Sequence, residues 1–333
     1  MYHYYTYDGR TLCSAGALPY PEISALPETG EVLWVFHRPP LAGRDTFPVT
    51  DPAQLTEEEG VASLCTAPCP EDVPPALLPA IRAGRVRAVN GSHPRFEELL
   101  APVSRPEKVR VNLLALGDVG STLLLGLRLM GGDVISSIGI CDLREGVAQR
   151  WEFELNQIQL PGPYDALPPV EIVPPERLFD GDVFLFCASR FVPDTAVKTG
   201  DVRMAQYQLN RELAALYARK AREARYRGMF CVVSDPVDPL CRAVLTERTV
   251  HANLQMREMG FKPYVAPALS SGALSLLLCL RGQWHCSSTY LGGVFMGARN
   301  RVTAAGTELE RLPLPRQLQD RLQTTMDRLR AID

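Results

Sequence analysis

The chain has 333 residues, 46% apolar and 22% charged, which suits two folded domains and excludes wholesale disorder. Its net charge of −3 gives no basis for expecting nucleic acid or an anionic membrane as partner. Its longest apolar run, "GALSLLLCL", is far short of a bilayer span, its first residues carry no secretory pattern, and its nine cysteines often lie in apolar runs. Those features lead to the expectation of a cytoplasmic protein with reduced thiols.

In chain order, "MYHYYTY" and "EVLWVFHRP" read as strands, rich in aromatic and β-branched residues. The one close cysteine pair, Cys65 and Cys69, has no second pair at matching spacing, so plain thiols are expected and no metal. "PPALLPAIRAG" starts with Pro and ends with Gly like a helix, and "RVRAVNG" reads as a strand closed by a turn. Residues 1–100 hold 13 Asp and Glu against 7 Arg and no Lys, a contrast with the near-neutral remainder. A separate N-terminal α+β domain, residues 1–104, is expected, and no motif in it assigns a role.

From residue 106 the rhythm changes. "VRVNLLAL" is a mainly apolar run, read as a strand buried on both faces, and a helix with small residues at its start follows. "VISSIGICD" is a second strand, "REGVAQRWEFELNQIQL" a helix, "VEIVP" a short strand and "DVFLFCAS" another buried strand. A long helix, "VRMAQYQLNRELAALYARKAREARYRG", leads to a further strand in "MFCVVSDPVD". The alternation predicts a Rossmann-like, doubly wound parallel sheet over residues 105–240. Residues 241–333 form a reduced C-terminal α+β region. There, one or two helices precede strands in "WHCSSTYLGGVFMGARNRV" and "TELERLPL", and the final helix aligns Leu318, Leu322, Leu329 and Ile332.

Ala115, Leu116, Gly117, Asp118, Val119 and Gly120 match the dinucleotide fingerprint G-x-G-x-x-G at two of its three glycines. The second glycine lets backbone approach a pyrophosphate and the third lets helix and strand pack closely. Alanine replaces the first, at the tight turn, and serves there if its φ stays negative. Asp142 closes the next strand 22 residues beyond Gly120, where an acid accepts hydrogen bonds from the adenosine ribose and repels a 2′-phosphate. Without a cofactor, the same glycines serve packing alone.

"GDVGSTLLLGLRLMG", "ICDL", "DVFLFCAS", "GDVRMAQYQLNREL" and "VVSDPVD" occur in one order at compatible spacing. Together they resemble the NAD-dependent L-lactate/malate dehydrogenase family over residues 108–238. The resemblance returns in "STYLGGVFMGARNRV" and "LERLPLPRQLQDRLQ", and residues 1–100 have no counterpart. It implies NAD as cofactor, with Cys187, Ala188, Ser189 and Asn210 near it beside the fingerprint. It also implies a substrate arginine at Arg203, seven residues before Asn210, and places Arg190 near the nicotinamide end. An exposed arginine at a helix start is the plain alternative for Arg203.

The departures matter as much. The family's Ser-Asn-Pro-Val-Asp is "SDPVD" here, so Asp235 stands in place of an asparagine. An ionised carboxylate donates no hydrogen bond and repels a 2-oxo-carboxylate; Asp235 serves instead as a base or as a cap of the next helix. Only 32 residues separate Asp238 from Ser271. Neither the family's clamp arginine, in Leu-Asp-x-x-Arg, nor its proton-exchanging histidine, in Gly-Glu-His-Gly, is present. Among His3, His37, His93, His251 and His285, only His251 and His285 offer substitutes, and structural histidines fit both as well.

Three readings remain. One is an NAD-dependent oxidoreductase with altered chemistry, acting on neither lactate nor malate. Another is a non-catalytic dinucleotide- or metabolite-binding protein, and the third is an interaction protein without cofactor. A nicotinamide cofactor and a small-molecule substrate are the expected partners. A homodimer is expected through the helix bearing Val147, Trp151, Leu155 and Ile158 as one apolar stripe, although that stripe equally suits its own sheet.

Overall fold

A computed structural model describes residues 2–39, 42–101, 106–163, 165–190, 202–234 and 272–331, with the side chains of residues 202–206 and 208 left out. The chain divides into two compact units. Met1–Arg105 and Gly282–Asp333 form one, and Pro106–Arg281 the other. The strands after Gly282 thus cluster with the N-terminal residues, whereas the sequence set 241–333 apart as a region of its own.

The first unit holds strands β1 (His3–Tyr7), β2 (Arg10–Ser14), β3 (Glu22–Ile23), β4 (Val32–Phe36), β5 (Thr46–Pro48) and β6 (Val86–Asn90), with short helices α1 (Leu77–Arg82) and α2 (Phe96–Leu100). The strands form one mixed sheet in the order β3-β1-β2-β4-β6-β5, with β2, β4 and β6 parallel. The apolar run "VLWVF" explains the central place of β4, where Val32 to Val35 are all buried.

The second unit contains β7 (Val109–Leu114), α3 (Asp118–Met130), β8 (Ile135–Cys141), α4 (Glu145–Asn156), β9 (Val170–Ile172), β10 (Val183–Phe186), α5 (Val202–Glu223), β11 (Met229–Val232) and α6 (Gly272–Leu280). Its sheet runs β11-β10-β7-β8-β9, and every adjacent pair is parallel. Counted from β7, the order is 3-2-1-4-5, so the chain winds outward first one way and then the other. The winding reverses between β7 and β10, and a crevice opens outside the carboxyl ends of those two strands. The chain is therefore α/β with a Rossmann-like doubly wound sheet, as its alternating apolar runs predict.

Packing sets the position of α3. Leu123, Leu124 and Leu127 enter a core with Val111, Leu113, Ile138 and Leu185, and α6 adds Ala273 and Leu277. At the last turn of α3, buried Arg128 donates to the carbonyls of Leu155 (3.1 Å), Ile158 (2.9 Å) and Pro168 (2.7 Å). A guanidinium on the orphan carbonyls at the end of α4 locks the two helix ends together. Val147, Trp151 and Ile158 pack on the same core and Leu155 is buried within it, so the stripe on α4 serves its own unit.

The last strands, β12 (His285–Leu291), β13 (Val294–Thr303) and β14 (Gly306–Leu309), form an antiparallel meander in the first unit, and helix α7 (Arg316–Arg330) follows. Met326 is buried beside Leu322 and Leu329, while Leu318 is exposed and Ile332 lies outside the described residues. No helix among the described residues is long and apolar enough to cross a membrane.

Candidate functional site at the switch point of the parallel sheet

The site begins where β7 ends. Ala115 adopts φ +74°, in the left-handed region that glycine favours. The condition set for an alanine at this turn, a negative φ, is not met: the turn keeps the geometry of the missing glycine and the alanine carries the strain. The reason is local. The Ala115 amide donates to Cys141 O (2.8 Å), and its own carbonyl lies 2.0 Å from where a Cβ on Gly120 would sit. Gly120 is thus the only residue type that fits beneath that carbonyl, and its Cβ would also meet Cys187 Cβ at 3.3 Å. Strand β10 and helix α3 approach each other through this glycine.

Gly117 serves differently. It caps the start of α3 without a side chain, and an added Cβ would meet nothing within 4 Å. There is thus room beside Gly117 at the positive end of α3, where the first-turn amides of a helix favour an anion. Asp118 is exposed in the first turn, Val119 is half-buried and Leu116 is buried in the core.

Asp142 follows the end of β8 with its side chain only 8% exposed. Its Oδ2 accepts from Leu116 N (2.7 Å) and its Oδ1 from Arg144 N (2.9 Å), with Arg144 Nε 3.6 Å away. The acid thus fixes the fingerprint loop. Each carboxylate oxygen retains a second lone pair for a hydroxyl.

Across the crevice, Cys187, Ala188 and Ser189 continue from β10. Cys187 is buried, which pushes its thiol well above the ordinary range. Ser234 Oγ donates to Ala188 O (2.8 Å) and ties in the end of β11. Asn210, fully buried on α5, accepts from Arg190 N (2.9 Å) and exchanges hydrogen bonds with Ser189 Oγ (3.2 and 3.3 Å). Here the asparagine holds the strand end to the helix. Arg190 turns to Glu212 (3.1 Å) and, with Arg211 and Arg219, lines an open groove of about 550 Å³ along α5.

Of the other expected residues, Asp235 and His251 lie outside the described residues, as does the side chain of Arg203. His285 is buried on β12 in the other unit, with Nδ1 3.1 Å from Gln283 O and Nε2 3.2 Å from Ser287 Oγ, which also accepts from Asn300 Nδ2 (2.9 Å). Such a satisfied ring is explained by structure alone. Cys65 is buried and Cys69 exposed. Among the described residues no group of three His, Cys, Asp or Glu is placed to hold a metal. Sequence reasoning missed the anchoring of Leu116 by Asp142, for which an acid closing a strand beside a glycine loop is the only available signal.

No protein-family model matches the chain, and no curated protein is detectably similar to it in sequence. Solved structures do resemble it. The minor L-lactate dehydrogenase of Enterococcus mundtii, in its ligand-bound form, shares 15% identity with a TM-score of 0.51, over 68% of this chain and 98% of that one. Malate dehydrogenase from Archaeoglobus fulgidus, in complex with NADH, gives 14% and 0.51, over 67% and 97%. Malate dehydrogenase from Salinibacter ruber gives 12% and 0.51, over 67% and 95%. Identities this low carry the fold alone. The chain has a lactate/malate dehydrogenase-like fold.

Proposed function

We propose that the unit of residues 106–281 binds NAD(H) at the crevice between β7 and β10, in preference to NADP(H), as an oxidoreductase that acts on neither lactate nor malate. The observation that carries this is the open N-terminus of α3 at Gly117, beside a loop that Asp142 holds in place. The residues fit the cofactor. The α3 amides meet its pyrophosphate, Gly120 keeps strand and helix close enough to form the pocket, and Asp142 meets the adenosine ribose. Cys187, Ala188 and Ser189 form the opposite side of the crevice, with Asn210 as their support. When bound, the nicotinamide ring supplies a hydride acceptor or donor. Arg203, Arg190, Asp235 and His251 are the candidates for substrate binding and proton exchange, and His285, satisfied within the other unit, is not among them.

The absence of the Leu-Asp-x-x-Arg and Gly-Glu-His-Gly motifs favours a second reading, in which the cofactor binds without turnover. The NADH complex of the Archaeoglobus fulgidus enzyme supports cofactor binding on this fold. A homodimer through the outer side of α4, where Phe153 is 72% and the preceding Leu143 99% exposed, belongs to the same proposal.

Calorimetric titration of the full chain with NAD, NADH, NADP and NADPH tests it. Binding of NAD or NADH is expected, with a preference over the phosphorylated pair that narrows in Asp142→Ala. The ratio is the readout, because losing the anchor of Leu116 weakens both pairs. No binding at millimolar concentration refutes the cofactor, and steady NADH formation from lactate or malate refutes the substrate exclusion.

A further inference from the structure

Beside the carboxylate of Asp142 stands the guanidinium of Arg144, with Nε 3.6 Å from Oδ1. The two side chains differ in setting, Asp142 being 8% exposed and Arg144 70%. The backbone keeps them neighbours, because Arg144 N donates to the same Oδ1 (2.9 Å). The turn that sets the acid therefore sets the arginine next to it. Among the described residues Asp142 is the only charged partner of Arg144, and the guanidinium makes no hydrogen bond. An exposed pair at this distance is a loose tether. It leaves a planar fork of donors for a stronger acceptor, and phosphate oxygens match that fork.

Space and neighbouring charge agree. Arg144 caps α4 without a side-chain hydrogen bond, and a Cβ added to Gly146 would meet nothing within 4 Å. There is thus room at the positive end of α4, where first-turn amides favour an anion. The nearest acid along the chain, Glu145, accepts from Gln149 Nε2 (3.2 Å) one turn further on.

We propose, on the reading that Asp142 meets the adenosine ribose, that Arg144 receives the 2′-phosphate of NADP(H). The crevice then accepts both nicotinamide dinucleotides and prefers the unphosphorylated pair only modestly. A ribose hydroxyl bonded to Asp142 lies beside Arg144 as well, since the two charged groups are neighbours. An acid alone at that place repels a 2′-phosphate. A guanidinium at like distance sets attraction against that repulsion.

Calorimetric titration of the full chain at low salt with NAD and NADP tests the role of Arg144. Adenosine 5′-monophosphate and adenosine 2′,5′-bisphosphate serve beside them, because they differ only in the 2′-phosphate. In the unaltered chain NADP is expected within roughly tenfold of NAD. Arg144→Gln changes an exposed side chain and keeps the backbone donor to Asp142. It should weaken the two 2′-phosphorylated ligands about threefold to tenfold more than their counterparts. High salt should erase most of that difference. Arg150→Gln removes an equal charge further along α4, where Arg150 pairs with Glu154 (2.8 Å), and should leave the ratio unchanged. An unchanged ratio in Arg144→Gln, or an equal change in Arg150→Gln, overturns the proposal while NAD binding stands. So does NADP binding about a hundredfold or more weakly than NAD in the unaltered chain. If none of the four ligands binds, the cofactor reading itself falls, and the role of Arg144 falls with it.

Discussion

Replacing Ala115 by Gly restores the first glycine of the fingerprint and should stabilise the unit of residues 106–281. Ala115 sits at φ +74°, where an L side chain costs about 1–2 kcal/mol relative to the right-handed region. Glycine removes that penalty but returns about 0.5–1 kcal/mol through the greater freedom of the unfolded chain. The difference is a net gain of about 0.5–1 kcal/mol, equivalent to roughly 2 °C in the melting temperature of a unit this size. Differential scanning calorimetry of both proteins, without cofactor, measures it. The opposite change serves as control. Gly120→Ala drives a Cβ to within 2.0 Å of the Ala115 carbonyl, so the loop or helix must move, at a cost of about 1–3 kcal/mol or more. If Ala115→Gly melts at or below the parent temperature, the left-handed turn is not the source of strain and the reading of this loop is wrong.

Asp118 places an exposed carboxylate in the first turn of α3, where it favours the helix but opposes a bound pyrophosphate. At roughly 6 Å in water-like surroundings the repulsion is about 0.7 kcal/mol, so Asp118→Asn should tighten NAD(H) binding about threefold at low salt. The gain should fade as ionic strength rises, and a weaker Kd in the variant at low salt refutes the placement. For assembly, small-angle scattering at high protein concentration should give the mass of a dimer. A monomeric mass removes the pairing through α4, and Phe153→Glu in a dimeric protein should break it.

What could be read from the sequence follows from which interactions are local. The runs Val109–Leu114 and Val183–Phe186 are apolar at every other position or throughout, and both lie inside the parallel sheet, because burial on two faces leaves few other choices. With helices between them, the doubly wound order is a short step. The backbone at Ala115 was not legible in the same way. Alanine by itself disfavours a positive φ, and what accommodates it here is the Gly120 position five residues on, which leaves room for the Ala115 carbonyl. The α4 stripe is another such case, since one row of apolar residues fits a partner's surface as well as its own sheet; Arg128, reaching the end of α4, shows which way the helix is turned.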